Sequence, residues 1–162
     1  MRILRAIFAL PVPAALIVPS VILCFTDFHC STSKDWQLYF SIIFGGMGFV
    51  LAFWTMRLFA VIGKGTLAPW DPPKKLVIEG PYCYVRNPML TSIWLILLAE
   101  AFYFQSLALG IWLIVFVFFN LLYFPFIEEP GLLKRFGKAY KEYCKHVPRY
   151  IPKLKSWHPK KD

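Results

Sequence analysis

The chain is 162 residues long, enough for one domain, and 58% of its residues are hydrophobic. A water-soluble domain sits at about 45–50% apolar, so this composition excludes an ordinary soluble globule. The net charge of +9 would suit nucleic acid in a soluble protein. Here the basic residues lie between and after apolar runs, so anionic lipid headgroups are the expected counter-charge and nucleic acid is not an expected partner.

The first apolar stretch covers residues 3–25. It follows Arg2 and Arg5 as a signal peptide would, but it is long, holds Pro11, Pro13 and Pro19, and has no small-residue cleavage site after it. A membrane helix is the expectation. A second apolar stretch covers 38–62, a third 89–104 and a fourth 107–127. A spanning helix needs about 20 mostly apolar residues; the third is shorter, and Glu100 interrupts it. Gln105 and Ser106 leave room only for a tight turn, so the third and fourth segments are expected to form an antiparallel hairpin with Glu100 near the far surface. Glu100 reads either as an interfacial carboxylate or as a buried functional acid. The remaining residues, 128–162, are too polar for a fifth span. Leu132, Leu133, Phe136, Tyr140, Tyr143 and Val147 recur at helical spacing, with Lys134, Lys138, Lys141 and Lys145 on another face. That pattern predicts a helix lying in the interface, either as an anchor or as a lid over a cytoplasmic site. Residues Lys153–Asp162 read as a solvated basic end.

Charge sets the orientation. Arg2 and Arg5 precede the first span, and Arg57, Lys64, Lys74, Lys75 and Arg86 surround the loop of residues 63–88. The tail is strongly basic, whereas the first loop has only Lys34 against Asp27 and Asp35. The positive-inside rule places both termini and the 63–88 loop in the cytoplasm. The predicted fold is an all-α integral membrane domain over residues 1–162, with about four transmembrane helices, a cytoplasmic cofactor-binding loop and a C-terminal amphipathic interfacial helix. Cys24, Cys30, Cys83 and Cys144 form no Cys-x-x-Cys pair, and His29, His146 and His158 are scattered. No metal site is expected.

Polar information concentrates in the 63–88 loop and in Glu128-Glu129 at the cytoplasmic end of the fourth segment. Because the third and fourth segments pair, these become neighbours. Asn87 is the expected N-cap of the third helix, with Pro88 in its first turn. That helix N-terminus with Arg86 beside it favours an anion, while Glu128 and Glu129 favour a cation or hydroxyl groups. A site offering both signs suits a zwitterion such as the amino-acid end of S-adenosylmethionine. Tyr82, Tyr84 and Trp70 are candidates for cation–π contact with its sulfonium. The plainer alternative makes Gly80-Pro81 a simple turn, the aromatics an interfacial belt and the two glutamates a solvated helix end.

Two segments together resemble the isoprenylcysteine carboxyl methyltransferase and phospholipid methyltransferase superfamily. In the loop the matching residues are Leu76-Val77-Ile78-Glu79-Gly80-Pro81-Tyr82-Cys83-Tyr84-Val85-Arg86-Asn87-Pro88. In the tail they are Glu128-Glu129, Leu132, Phe136-Gly137, Tyr140, Tyr143, Val147-Pro148 and Ile151-Pro152. The resemblance implies that Lys74, Lys75, Leu76, Val77, Gly80, Pro81, Tyr82, Asn87, Pro88, Met89 and Leu90 hold S-adenosylmethionine, with Glu129 as the second acid of the pair. It implies that Glu128 lies at the reaction centre, and Arg86, matching the Arg of the family's Arg-His-Pro motif, is the second expected catalytic residue. Asn87 departs from the commoner His of that motif. Phe124 stands where the eukaryotic isoprenylcysteine enzymes have an Arg for the substrate carboxylate, so a prenylcysteine acid loses its obvious partner unless Arg149 folds back to supply one. Phe124 and Arg149 are therefore the residues expected to bear on the acceptor.

The resulting expectation is methyl transfer from S-adenosylmethionine to a lipid amine or other lipophilic small molecule dissolved in the membrane. Two rivals remain from sequence. One is an NADPH-dependent membrane reductase, because sterol reductases share the Arg-x-Pro turn and a tail like Tyr143-Cys144 with Val147-Pro148. The other is a non-catalytic membrane scaffold, against which the clustered Gly80-Pro81-Tyr82 and Arg86-Asn87-Pro88 motifs speak.

Overall fold

The structure, a computed structural model, describes residues 13–33, 35–63 and 74–159. Among these residues every regular element is helical. Helix α1 runs Pro13–Phe25, opening on a wide π-turn at Pro13–Ile17. The part of the expected first span before Pro13 lies outside the described residues. Helix α2 runs Trp36–Gly63, its last five residues again a π-turn. Helix α3 is Pro88–Tyr103 and helix α4 is Leu107–Tyr123. A π-turn at Phe124–Glu128 joins α4 directly to α5, Glu129–His146.

The α3–α4 hairpin forms as expected and for the expected reason. Asn87 caps α3, its side-chain oxygen accepting from the Leu90 N–H at 3.4 Å, with Pro88 in the first turn. At the far end Gln105 takes a positive φ of 45°, and the Ser106 hydroxyl accepts from the Leu109 N–H. The first loop closes over this turn: the Ser31 N–H donates to the Tyr103 carbonyl at 2.8 Å, and the His29 N–H to that of Phe104.

Helix α3 sits at the centre. Its Ile93, Ile96 and Leu97 bury against Ala15 of α1 and against Trp112, Leu113 and Phe116 of α4. On its other side α2 comes very close, because Gly48 has no side chain there. A Cβ on Gly48 would lie 2.8 Å from Ile96 Cγ1 and 2.9 Å from the Ser92 carbonyl oxygen. Small residues at a helix contact let backbones approach where no hydrophobic effect drives association. The buried hydroxyls at this contact are satisfied within their own helices: Thr55 on Leu51 O at 2.8 Å, Ser92 on Met89 O at 2.6 Å.

Helices Trp36–Gly63 and Leu107–His146 are long and apolar enough to cross a membrane, while Pro13–Phe25 and Pro88–Tyr103 are shorter apolar helices. Ile42, Phe49, Val50 and Phe53 of α2 and Ile114, Phe118 and Phe119 of α4 lie exposed. An apolar surface of that extent belongs against lipid.

Helix α4 continues into α5 without a break. Pro125 removes one N–H and crowds the preceding turn, and the backbone widens into a π-turn that carries the helix onward. Helix α5 then kinks at Gly137, at φ 53° and ψ −124°. Part of its apolar face packs on the protein itself. Tyr140, Tyr143 and Val147 bury against Leu76 and Ile78 of the loop and against Trp157 of the tail, while Leu133 stays exposed. The basic end, expected to be solvated, is tied down at two points, although Leu154 and Lys155 stay exposed: the Lys153 N–H donates to the Tyr84 carbonyl at 3.2 Å and the Trp157 N–H to that of Cys83 at 3.1 Å.

Candidate functional site

The loop is anchored at its base, where the Lys74 N–H donates to the carbonyl of Gly63, the last residue of α2, at 2.8 Å. Lys74 and Lys75 are exposed there, Leu76 is half-buried and Val77 is buried. Trp70, a candidate for the sulfonium, lies outside the described residues. Gly80 then turns the chain at φ +56°, with the Trp54 ring 3.1 Å from where a Cβ would stand. Only glycine meets both conditions without strain.

That turn opens a short 3₁₀ helix, Gly80–Cys83, which drives Tyr82 inward. The Tyr82 ring meets Phe59 edge-on at 5.3 Å, and the Tyr82 carbonyl accepts from the Tyr143 hydroxyl at 2.7 Å. The Tyr82 hydroxyl itself is buried without a partner. Burial first, then the nearby charges of Tyr143 and Glu128, hold its pKa well above the usual tyrosine range.

Arg86 and Glu129 meet next. Arg86 Nη1 donates to Glu129 Oε1 at 2.6 Å, and to Cys144 Sγ at 3.1 Å. Arg149 folds back onto the same carboxylate, with Nε 3.0 Å from Oε1 and Nη2 2.7 Å from Oε2. The guanidinium of Arg86, expected to face a ligand anion, is therefore largely taken by Glu129, although its Nε remains buried and unpartnered. The Tyr140 hydroxyl is a third buried group, with no oxygen or nitrogen partner and only the weakly bonding Cys144 thiol against it. Its pKa is raised by burial and then by the neighbouring Cys144 and Glu129, with Arg86 opposing.

Glu128 behaves differently from Glu129. As a residue it is exposed, yet the density of protein around its carboxyl and, second, the charge of Glu129 raise its pKa to about 7. No other carboxylate outside the spans is so placed among the described residues. Phe124 is buried, with Tyr150 tilted against it at 6.4 Å. It forms an uncharged wall, and Arg149 has reached Glu129 rather than that wall.

The structure thus brings Tyr82, Arg86, Glu128, Glu129 and Arg149 to one place, beside Phe124. Pro81 and Leu90 are half-buried around it. Lys74 and Lys75 stay at the loop base. Val77, Pro88 and Met89 are buried and shape the site from behind, and the Asn87 oxygen is used on its own helix. Tyr84 is exposed and contributes backbone only. Residues whose part was not evident from sequence are Cys144, against Arg86, and Trp157. The only sign of the latter was a lone tryptophan in a run of charges.

Two grooves among the described residues run along α2. One, of about 320 Å³, includes Gly46, Phe49, Ile96 and Glu100; the other, of about 420 Å³, includes Phe53, Trp54 and Arg57. The chemistry of the Tyr82–Glu128 region distinguishes it: three buried polar atoms without an oxygen or nitrogen partner beside an acid of raised pKa.

A family model described as phospholipid methyltransferase matches residues 36–139, which span α2, the loop, the α3–α4 hairpin and the Glu128-Glu129 pair. No curated protein and no solved structure matches the chain. With well over half of its residues matched, from α2 to the middle of α5, this chain belongs to the phospholipid methyltransferase family, a family of membrane methyltransferases.

Proposed function

We propose that the protein transfers a methyl group from S-adenosylmethionine to an acceptor dissolved in the membrane. The observation that carries this reading is the set of buried atoms without an oxygen or nitrogen partner, Tyr82 OH, Tyr140 OH and Arg86 Nε, gathered around Glu128-Glu129. A buried polar group without a partner costs about 1–3 kcal/mol, so a fold keeps several together where a ligand supplies the missing partners. Donors from Arg86, Tyr82 and Tyr140 suit a carboxylate and hydroxyl groups; the Glu128 carboxylate suits a cation. The amino-acid end, ribose and sulfonium of S-adenosylmethionine present those groups. When bound, the cofactor supplies an electrophilic methyl whose leaving group is a neutral thioether.

The chain's own work is then positioning and proton handling. Tyr82 and the Gly80–Cys83 turn hold the cofactor side, while Phe124 offers the acceptor an apolar wall. Below about pH 7 Glu128 holds a proton; above it the carboxylate is free to accept one from an ammonium acceptor, leaving the neutral amine that attacks. Glu129 clamps Arg86 to Arg149 and so fixes the α4–α5 junction against the loop. A prenylcysteine carboxylate meets no free cation at Phe124, and a buried unpaired charge costs several kcal/mol; a lipid amine or neutral lipophile is the favoured acceptor.

The topology belongs to the same proposal. Helices α1 to α4 cross the membrane, with both termini and the loop in the cytoplasm, as the Lys and Arg distribution indicates. Helix α3, at 16 residues, is about 24 Å long, and its capping turns extend it. The test is a methylation assay with labelled S-adenosylmethionine against phosphatidylethanolamine and a farnesylcysteine analogue. Transfer to the amine lipid is expected. Efficient, base-labile methylation of the farnesylcysteine would overturn the assignment of the acceptor.

A further inference from the structure

Three successive carbonyls in the turn that carries Tyr82 are held from the C-terminal part of the chain. Tyr82 O accepts the Tyr143 hydroxyl at 2.7 Å. Cys83 O accepts the Trp157 N–H at 3.1 Å, and Tyr84 O the Lys153 N–H at 3.2 Å. Two residues on, the Arg86 N–H donates to Pro148 O at 2.9 Å. The chain after α5 is therefore tied by backbone bonds to Cys83, Tyr84 and Arg86, although the stretch has no regular structure of its own.

Side chains lock it there. The Trp157 ring stacks on His146 at 4.8 Å and 11°, and lies 6.2 Å from Tyr143. His158 Nδ1 sits 3.6 Å from Cys83 Sγ, and Lys153 Nζ donates to the His146 carbonyl. Tyr150 bonds the Leu121 carbonyl of α4 at 3.2 Å. A solvated basic end needs none of these bonds. A 3₁₀ turn of four residues, by contrast, has little stability alone, and Tyr82 must be kept buried beside Glu128 with its hydroxyl unpartnered.

From this arrangement we infer that residues 151–158 are a strap that holds the Tyr82 turn in place, with Trp157 as its positioning residue. The inference rests on the proposed methyl transfer for its consequence, since a loosened turn presents Tyr82 poorly to the cofactor. It does not touch the acceptor side. Loosening the strap should weaken S-adenosylmethionine binding by about tenfold, the equivalent of one well-placed hydrogen bond, and raise the cofactor KM while kcat and the acceptor KM change little.

Three variants of the detergent-purified protein, two that loosen the strap and one that restores it, test the inference. Trp157→Ala removes the lock, and a stop after Tyr150 removes the strap while keeping the Arg149–Glu129 and Tyr150–Leu121 contacts. Trp157→Phe, which keeps an aromatic ring over His146, should restore most of the binding. A second readout needs no cofactor: the alkylation rate of Cys83, followed by peptide mass spectrometry. Cys83 is 1% exposed, and burial followed by the charge of Glu79 raises its thiol pKa, so it should react slowly in the wild type and at least tenfold faster in both loosening variants. Faster Cys83 alkylation with a raised cofactor KM supports the strap. Unchanged Cys83 alkylation in the truncated chain overturns it, whatever the activity. Failure of the wild type itself to bind S-adenosylmethionine would instead strike at the proposed function and leave the Cys83 readout to decide the strap.

Discussion

Replacing Glu129 by Gln tests the division of labour between the two adjacent acids. Its side chain is 14% exposed and that of Arg86 is 11% exposed, with 2.6 Å between them. Removing one partner of a buried pair costs about 3–5 kcal/mol, because the other charge stays buried and unpaired. Arg149, at 36% side-chain exposure, can return to water, so its share is that of a surface pair, under about 1 kcal/mol. Gln keeps the shape and one acceptor oxygen, which argues for the lower end, about 3 kcal/mol. For a chain of this size that corresponds to a fall in Tm of about 6–12 °C, read by circular dichroism in detergent. Arg149→Ala alone should cost only about 2–4 °C. The double variant should melt no lower than Glu129→Gln, because with the Glu129 charge gone Arg149 has no ion pair left to lose. Glu128→Gln should leave the melting temperature almost unmoved at pH 5. If Glu129→Gln melts within about 2 °C of the wild type, or Glu128→Gln falls as far as Glu129→Gln was expected to, the clamp has been assigned to the wrong residue.

Other expectations follow from the same geometry. If Glu128 acts at the reacting centre as proposed, Glu128→Gln should lower kcat and kcat/KM together, and it should abolish a rise in wild-type activity through about pH 7. The sign for stability is opposite: the raised pKa means the folded state holds its proton after the unfolded chain has lost it. The contribution of Glu128 to stability therefore falls as pH rises from 4.5 to about 7. Melting curves of the wild type and Glu128→Gln should diverge over that window, and parallel curves would count against the raised pKa. Gly48→Ala should destabilise by about 1–3 kcal/mol, because its Cβ would collide with the Ser92 carbonyl and Ile96. Gly46→Ala, with nothing within 4 Å of the new carbon, is the matched control and should cost no more than the wild type tolerates elsewhere on its surface. In intact cells an impermeant maleimide should reach Cys30 in the exposed first loop and spare a cysteine engineered at position 155; the reverse pattern would invert the topology.

Local signals in the sequence were enough for the hairpin and for the residues that gather at the candidate site. Asn87-Pro88 reads as a helix start and Gln105-Ser106 as a turn because capping and turn chemistry depend on neighbours in sequence, and both took those roles. Tyr82 and the two glutamates were found through the motif that carries them. The tail was misread because its partners are distant. A run of lysines looks solvated when nothing nearby opposes it, and the carbonyls of Cys83 and Tyr84 that it satisfies leave no periodic trace. The continuity of α4 into α5 through one wide turn at Pro125 has no local signal in the sequence. Glu128 and Glu129 look alike in sequence. Their difference arises only when Arg86, from the loop, and Arg149, from beyond α5, converge on one of them.

The central claim is that the Tyr82–Glu128 region receives S-adenosylmethionine. Isothermal titration of the detergent-purified protein tests it most directly, with S-adenosylmethionine, S-adenosylhomocysteine and NADPH in parallel and Tyr82→Phe as the site control. The account predicts micromolar binding of the two adenosyl ligands, about −8 kcal/mol, weakened by Tyr82→Phe, and no heat with NADPH. Binding of NADPH with no heat from either adenosyl ligand would contradict it.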